Sequence, residues 1–416
     1  MMNALNPMER PVIHVCSTML DLGGVESLLA LHRQYEPALA VDARFRMLFD
    51  RRVAPADARY HNFNFHWWNS LGRIRREFAR ELAAMPGATV VYHQGWWLPF
   101  LAPLDGAVRR LVFLHGDQVY YDPFLPALRG LVDAVLCDSP LTLARLENLL
   151  PGIDAARRLA PPIPIQRPPG MGPGAGRREG DVLVLGYPGR LRRDQKRLDR
   201  LPAFLGTLRA RRIKFRFELM GEGHFGPWLR RRFRDWPEVR FLGRKQGDDY
   251  WRQLARWDAA VWFSDSEAGP FALLEAMAAG TLVFYPRLGE SLGDIYTPQL
   301  DPRCHYPRGD PVAAAEAVCA VFAEPEAELT ALRLRAAALV AGRTAEGYAR
   351  SCVDFYRHVV DLPRVSAVAP QARPNPVLDT LPLGLATRLG SRLMHRPWPA
   401  VVSATTLEAP AGPRRG

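Results

Sequence analysis

This sequence predicts an α/β fold of two parallel-sheet domains, on three observations. Short apolar runs of strand length alternate with helical stretches along most of the chain, as they do in βα units of a parallel sheet. The alternation breaks in a stretch rich in Pro and Gly at 161–180 and then restarts. The 416 residues exceed one ordinary domain and suffice for two, each with its own core. Two such halves joined by a linker leave a cleft between them.

The first domain, 11–160, opens with the strand VIHVCST (12–18), a loop ending in Gly23 and Gly24, and a helix from about Val25. RFRMLFD, ATVVYHQ, RLVFLHG and DAVLCDS are short, apolar and rich in β-branched or aromatic residues, which makes them further strands. SLGRIRREFARELAAM (70–85) is one of the helices between them. The second domain, 181–344, repeats the plan with VLVLGYPGR (182–190), KFRFELMG (214–221), VRFLG (239–243), AAVWFS and TLVFYP (281–286). A helix over 345–362 follows. The tail, 363–416, turns to Pro, Ala and Arg without a sustained pattern and is expected to be largely disordered. Within it LGLATRLGSRLMHRPW (383–398) mixes apolar and basic residues as a membrane-surface segment does, weakened by its glycines.

Composition narrows the class. With 48% hydrophobic and 24% charged residues the chain is globular. No run approaches the ~18 to 20 apolar residues of a membrane span, and the amino terminus lacks a signal peptide's apolar core, so a cytoplasmic protein is expected. The five cysteines are scattered and show no metal-ligand spacing; they are expected to be reduced thiols, and no metal is expected. The net charge of +12, with arginine-rich patches at 72–78, 190–200, 209–215 and 229–234, favours polyanions: nucleic acid, anionic lipid headgroups or phosphorylated small molecules. Solvated helix faces explain the same arginines.

The most informative stretch is SDSEAGPFALLEAMAAG (264–280). An apolar strand ends just before it, and Pro270 suits a helix start because its missing N–H would be unpaired there anyway. Glu267 therefore lies on the loop at a strand's carboxyl end, where open α/β sheets bind ligands, and Glu275 lies on the helix that follows. The free N–H groups at that helix start attract an anion, although a nearby carboxylate can equally be their cap. Upstream, PGRLRRDQKRLDRL (188–201) puts Arg190 just after a strand and Lys196 six residues on. A planar guanidinium fork and a compact ammonium suit a diphosphate; a basic helix entrance is the plainer reading. GEGHFG (221–226) is a literal G-x-G-x-x-G, which by itself suggests a dinucleotide. The acid expected about 20 residues later is missing, and Arg244 stands after the next strand instead, which keeps NADP as a minor possibility. Gly23 and Gly24 allow a close backbone approach. His93 and His115 end two strands, where a lone histidine is more often structural. The pairs Trp67-Trp68 and Trp96-Trp97 fit buried packing better than sugar stacking or a membrane interface.

Taken together and in order, LGGVES, FLHGD, GRLRRDQK, LMGEG, VRFLG and SDSEAGPFALLEAMAAG resemble the retaining glycosyltransferases of the GT-B fold, glycosyltransferase family 4, over roughly residues 11 to 360. The resemblance implies two Rossmann-like domains facing across a cleft and a last helix that crosses back to the first domain. It implies that Glu267 lies by the donor sugar and that Glu275 binds the ribose hydroxyls. Backbone around Gly269, Pro270, Phe271 and Ala272 would hold the diphosphate, which Arg190 and Lys196 would neutralise. Gly23 and Gly24 would border the phosphates, His115 would face the donor sugar, and Arg244 would complete the donor side. The partners implied are a nucleotide-diphosphate sugar and a glycan or lipid-linked glycan acceptor, with an anionic membrane surface nearby, no nucleic acid, no metal and no other cofactor. The Pro-rich linker and short first half depart from the family pattern and leave the acceptor unread. A sugar epimerase on the same fold, and a noncatalytic polyanion binder that keeps it, are the alternatives.

Overall fold

The computed structural model describes residues 10–17, 24–49, 57–94, 108–115, 125–138, 140–150, 152–172, 180–267, 270–288, 299–365 and 379–385. The chain divides into two compact units, Met1–Pro161 with Ala349–Gly416, and Pro162–Tyr348.

In the first unit the described strands are β1 (Val12–Cys16), β2 (Ala43–Met47), β3 (Tyr60–Asn62), β4 (Thr89–His93), β5 (Arg109–Leu114), β6 (Ala134–Cys137) and β7 (Arg158–Leu159). They form one parallel sheet in the order β3-β2-β1-β4-β5-β6-β7. All five residues of β1 and of β4 are buried, as expected for central strands covered on both faces. Helices α1 (Gly24–Tyr35), α2 (Leu71–Ala83) and α3 (Pro140–Leu149) belong to this unit. Helix α2 starts where it does because the Ser70 side chain accepts a hydrogen bond from the Arg73 N–H at 3.3 Å. Its buried residues Leu71, Ile74, Phe78 and Leu82 make one apolar stripe.

The second unit holds β8 (Leu183–Pro188), β9 (Phe215–Met220), β10 (Val239–Gly243), β11 (Ala259–Val261), β12 (Leu282–Arg287) and β13 (His305–Pro307). They are parallel in the order β10-β9-β8-β11-β12-β13. Its helices are α4 (Leu201–Ala210), α5 (Gly226–Arg232), α6 (Gly247–Arg256), α7 (Phe271–Ala278), α8 (Pro311–Phe322) and α9 (Glu326–Val340). Trp257 anchors the core: its ring lies so close over Gly186 that an added Cβ would come within 2.2 Å, and its Nε1–H donates to Glu218 at 2.9 Å. Ile163 and Ile165, in the Pro- and Gly-rich stretch, are buried in this core.

Helix α10 (Ala345–Asp361) follows, and from Ala349 on it belongs to the first unit. There Arg357 donates to the Leu39 carbonyl at 2.8 Å and Arg109 to that of Val360 at 2.5 Å. Farther along, residues 379–385 are ordered against α2. Leu383 is buried and its N–H donates to the Asn69 carbonyl at 2.9 Å, while Arg75 pairs with Asp379. Leu383 of this piece of the tail therefore serves the first core, while Leu385 is exposed, and the rest of the 383–398 segment lies outside the described residues.

Both sheets share one feature that positions a site. Strand order runs outward from β1 through β2 and β3 on one side and through β4 to β7 on the other, and outward from β8 in the same way. The reversals lie between β1 and β4 and between β8 and β11, and the crevice beyond the carboxyl ends of such strands is where open α/β sheets bind ligands.

Candidate active site

At the reversal of the second unit, the loop after β8 and the loop after β11 are tied together. The Asp265 N–H donates to the Gln195 carbonyl at 3.0 Å and the Gln195 amide to that of Ser266 at 3.1 Å. Asp265 also pairs with Arg197 at 2.6 Å and Arg200 at 2.7 Å. Arg197 itself holds a left-handed backbone, φ 49°, a conformation that needs such support in a non-glycine residue. The lacing sets Lys196 Nζ at 2.7 and 2.6 Å from the two oxygens of Glu267. Glu267 is buried and also accepts from the Ser264 hydroxyl. Arg190, on the β8 side, is exposed, and its guanidinium has no ion-pair partner among the described residues.

Helix α7 begins one residue later than the sequence suggests. Pro270 is buried and caps it from outside, its carbonyl accepting from Leu273 and Leu274 at 3.0 and 3.1 Å. The N–H groups of Phe271 and Ala272 find no acceptor among the described residues, as expected for a helix start. Farther along the helix, Glu275 accepts a 2.6 Å hydrogen bond from the Tyr250 hydroxyl of α6. Burial pushes the Glu275 carboxyl pKa above its usual value, and the Tyr250 hydrogen bond only partly opposes this. Arg244 follows β10 and is exposed. The second unit thus brings together Glu267 and Lys196, with Arg190, Pro270, Phe271, Ala272 and Glu275 on the same two loops and helix. Gly269 and Gly23 lie outside the described residues.

In the first unit, Gly24 is exposed at the start of α1. His115 is buried just beyond β5, and both its ring nitrogens have partners: His93 at 2.8 Å and Asp138 at 3.3 Å. His93 in turn meets His14 at 3.0 Å, and His14 meets Glu36 at 2.9 Å. Among the described residues His14, His32 and Glu36 form a group close enough to share a metal ion. Hydrogen bonds from the two imidazoles to the carboxylate, 2.9 and 2.7 Å, account for that approach.

The GEGHFG loop has a structural reason for its glycines. Gly221 and Gly223, at φ 151° and 157°, press against the turn after β8: a Cβ on the first would sit 1.9 Å from the Gly189 carbonyl oxygen, and one on the second 2.4 Å from that of Leu191. This packing holds the turn that leads to Lys196, and it accounts for the motif without a dinucleotide. Sequence reasoning missed Tyr250, Ser264, Gln195 and Asp265. The signal for Asp265 and Ser264 is only their adjacency to Glu267, and Tyr250 carries none.

Residues 182–324 match the family model described as "Glycosyl transferases group 1". No curated protein matches the chain in sequence. Solved structures do match in shape. HepE of Anabaena, in complex with UDP and glucose, superposes with a TM-score of 0.64 at 14% identity, covering 84% of this chain and 100% of that one. The lipopolysaccharide outer core galactosyltransferase WaaB gives 0.61 at 15% identity, covering 83% and 99%. The pneumococcal O-GlcNAc transferase GtfA, in complex with UDP and GlcNAc, gives 0.65 at 10%, covering 85% and 100%. Two Rossmann-like parallel-sheet units, this likeness in shape and the match over the second unit make the chain a GT-B protein whose second unit is similar to the group 1 glycosyl transferases.

Proposed function

We propose that the protein is a retaining glycosyltransferase of the family 4 type, which moves a sugar from a nucleotide-diphosphate sugar to a glycan or lipid-linked glycan acceptor in surface polysaccharide or lipopolysaccharide synthesis. The observation that carries this reading is the Lys196–Glu267 pair at the reversal point of the second sheet, beside the N–H groups of Phe271 and Ala272, which have no acceptor among the described residues. Breaking the bond between sugar and phosphate builds negative charge on the diphosphate. Cations and oriented N–H groups already in place gain most at that moment. Arg190 and Lys196 supply two positive charges, so the reaction needs no metal. Glu275 takes the ribose hydroxyls and Glu267 the reacting sugar, while His115 and Gly24 serve from the first unit. The leaving phosphate oxygen takes the acceptor's proton, which keeps attack and departure on one face of the sugar.

Neighbours whose names include UDP with glucose or GlcNAc favour a nucleotide-sugar donor, and a lipopolysaccharide galactosyltransferase among them favours a surface glycan. No helix among the described residues is long and apolar enough to cross a membrane, and the +12 charge suits reversible docking on an anionic membrane face from the cytoplasm. The experiment is incubation with a panel of nucleotide sugars, with and without chelator, reading nucleoside diphosphate release. Release from one donor class that survives chelation supports the reading. Release from none, or release only with added divalent metal, counts against it.

A further inference from the structure

The first unit contains a chain of titratable side chains of which the proposed chemistry uses only His115. Glu36, His14, His93, His115 and Asp138 are buried and joined end to end by contacts of 2.9, 3.0, 2.8 and 3.3 Å. The register explains the line. His14 on β1 pairs with Val91 on β4, two residues before His93. His93 pairs with Phe113 on β5, two residues before His115. Leu114 pairs with Cys137, so Asp138 follows β6 beside His115. Residues two apart share a face, so the string climbs one face from the middle of β1 to the carboxyl edge of the sheet.

Four contacts need four protons between them, and the two end groups are carboxylates that only accept. Three neutral imidazoles bring three. A string one proton short would leave two ring lone pairs facing each other, or a lone pair facing a carboxylate, in the core, where a polar group without its hydrogen bond is strongly disfavoured. The string therefore holds one proton more than its neutral rings supply. Burial keeps His93 neutral, lowering its pKa well below the usual value, with the neighbouring histidines His115, His14 and His32 adding to the effect. Burial works to raise the Glu36 carboxyl, but His14 and His32 outweigh it and hold it down at about 2. The extra positive charge thus belongs on an outer ring, beside a carboxylate. Among the described residues the other groups against the string include His32, which meets Glu36 at 2.7 Å, and Tyr356 of α10 with Cys352 beside it. Phe45 stacks on His14 and Phe113 on His93.

We propose that His14, His93 and His115 are a proton relay that carries one positive charge between Glu36 in the core and the carboxyl edge of the first sheet, with Glu36, His14 and His93 as positioning residues that set the charge on His115. In the step, His14 Nδ1 gives its proton to His93 Nε2 and His93 Nδ1 gives its own to His115 Nε2. One N–H bond breaks and one forms at each transfer. His14 ends neutral, His115 ends as the imidazolium, and His93 is again neutral in its other tautomer. The edge of the sheet can thus gain or lose a cation without water entering the core. Only the use of that cation in sugar transfer rests on the function proposed above; the proton inventory does not.

The test is NMR of the full-length chain with ¹⁵N-labelled histidine, reading the ring nitrogens at about pH 8, well above the ~6.5 of a free imidazole. One doubly protonated ring, or one such charge averaged over His14 and His115, is expected. Asp138→Ala removes one acceptor, so the imidazolium should vanish and all three rings should become Nε2–H tautomers. His93→Phe keeps a ring against both Phe113 and His115 but cuts the wire, so no charge should be shared between His14 and His115. Three neutral rings in the wild-type chain, or an imidazolium untouched by Asp138→Ala, overturns the proposal. A chain inactive on every nucleotide sugar would leave these spectra unchanged, so the two failures are told apart.

Discussion

Lys196 and Glu267 form a two-pronged ion pair, with Nζ at 2.7 and 2.6 Å from the carboxylate oxygens, between the loops that follow β8 and β11. Both partners are mostly shielded, at 14% and 3% side-chain exposure. Breaking a buried pair from one side typically costs about 3–5 kcal/mol, because the other charge stays behind unpaired. Lys196→Met should therefore destabilise the second unit more than the double variant Lys196→Met/Glu267→Gln does, as chemical unfolding monitored at Trp257 would report. A loss in the double variant equal to the sum of the losses in Lys196→Met and Glu267→Gln would mean that the two groups are not coupled.

For catalysis the same pair separates from Glu275. Glu267→Gln and Lys196→Ala should each lower kcat by on the order of 10²- to 10³-fold, the scale of a lost transition-state donor, with a smaller change in nucleotide affinity. Glu275→Ala should weaken binding of the donor and of the nucleoside diphosphate together. Steady-state kinetics alongside calorimetry of the free diphosphate checks the split.

The raised Glu275 pKa gives a pH dependence with a definite sign. A carboxylate that binds ribose hydroxyls loses that role on protonation, and a raised pKa brings the loss in at a higher pH than for an ordinary glutamate. Nucleotide affinity should thus fall on acidification. Tyr250→Phe removes the one hydrogen bond that opposes the rise, so the fall should begin at still higher pH. Calorimetric titration at a series of pH values measures it.

Linkage also sets the acid behaviour of the first unit. Burial is the chief cause that holds His32 and His93 below the ordinary imidazole pKa. Below about pH 6.5, where a free imidazole titrates, the unfolded chain binds these protons before the folded one does. The part of the stability that His32 and His93 contribute is therefore full above that pH and declines below it. Amide exchange in β1 and β4 should accelerate as the solution is acidified through that point, after correction for the intrinsic rate, while β8 and β9 hold. Equal acceleration in both sheets would assign the acid sensitivity to groups other than these histidines.

Most of the fold is legible in the sequence because central parallel strands announce themselves as unbroken apolar runs. β4, β5, β8 and β9 fall within one residue or so of the expected stretches. β3, β7 and β13 carry no such signal: at two or three residues each, on or near sheet edges, they are too short for any period. β11 is shorter than AAVWFS suggests, since Trp262 and Phe263 lie beyond the regular strand while staying buried. In the candidate site, Glu267, Lys196, Arg190 and Glu275 are singled out in the sequence by their motifs, and the resemblance supplies their proposed roles. The contacts that place them are not, because Asp265–Arg197, Asp265–Arg200 and Tyr250–Glu275 join residues 25 to 68 apart in the chain. GEGHFG misleads in the other direction, its glycines being required by the backbone of Gly189 and Leu191. Gly221→Ala should cost on the order of 3 kcal/mol, in the range of a strained or overpacked core change, and should shift the loop that carries Lys196.

The most direct measurement is a crystal structure of the full chain with UDP. The account predicts the diphosphate oxygens within hydrogen-bond reach of the Phe271 and Ala272 N–H groups and of Arg190 or Lys196, with the ribose hydroxyls on Glu275. A nucleotide seated on the 221–226 loop, or one held away from Lys196 and Glu275, would contradict it.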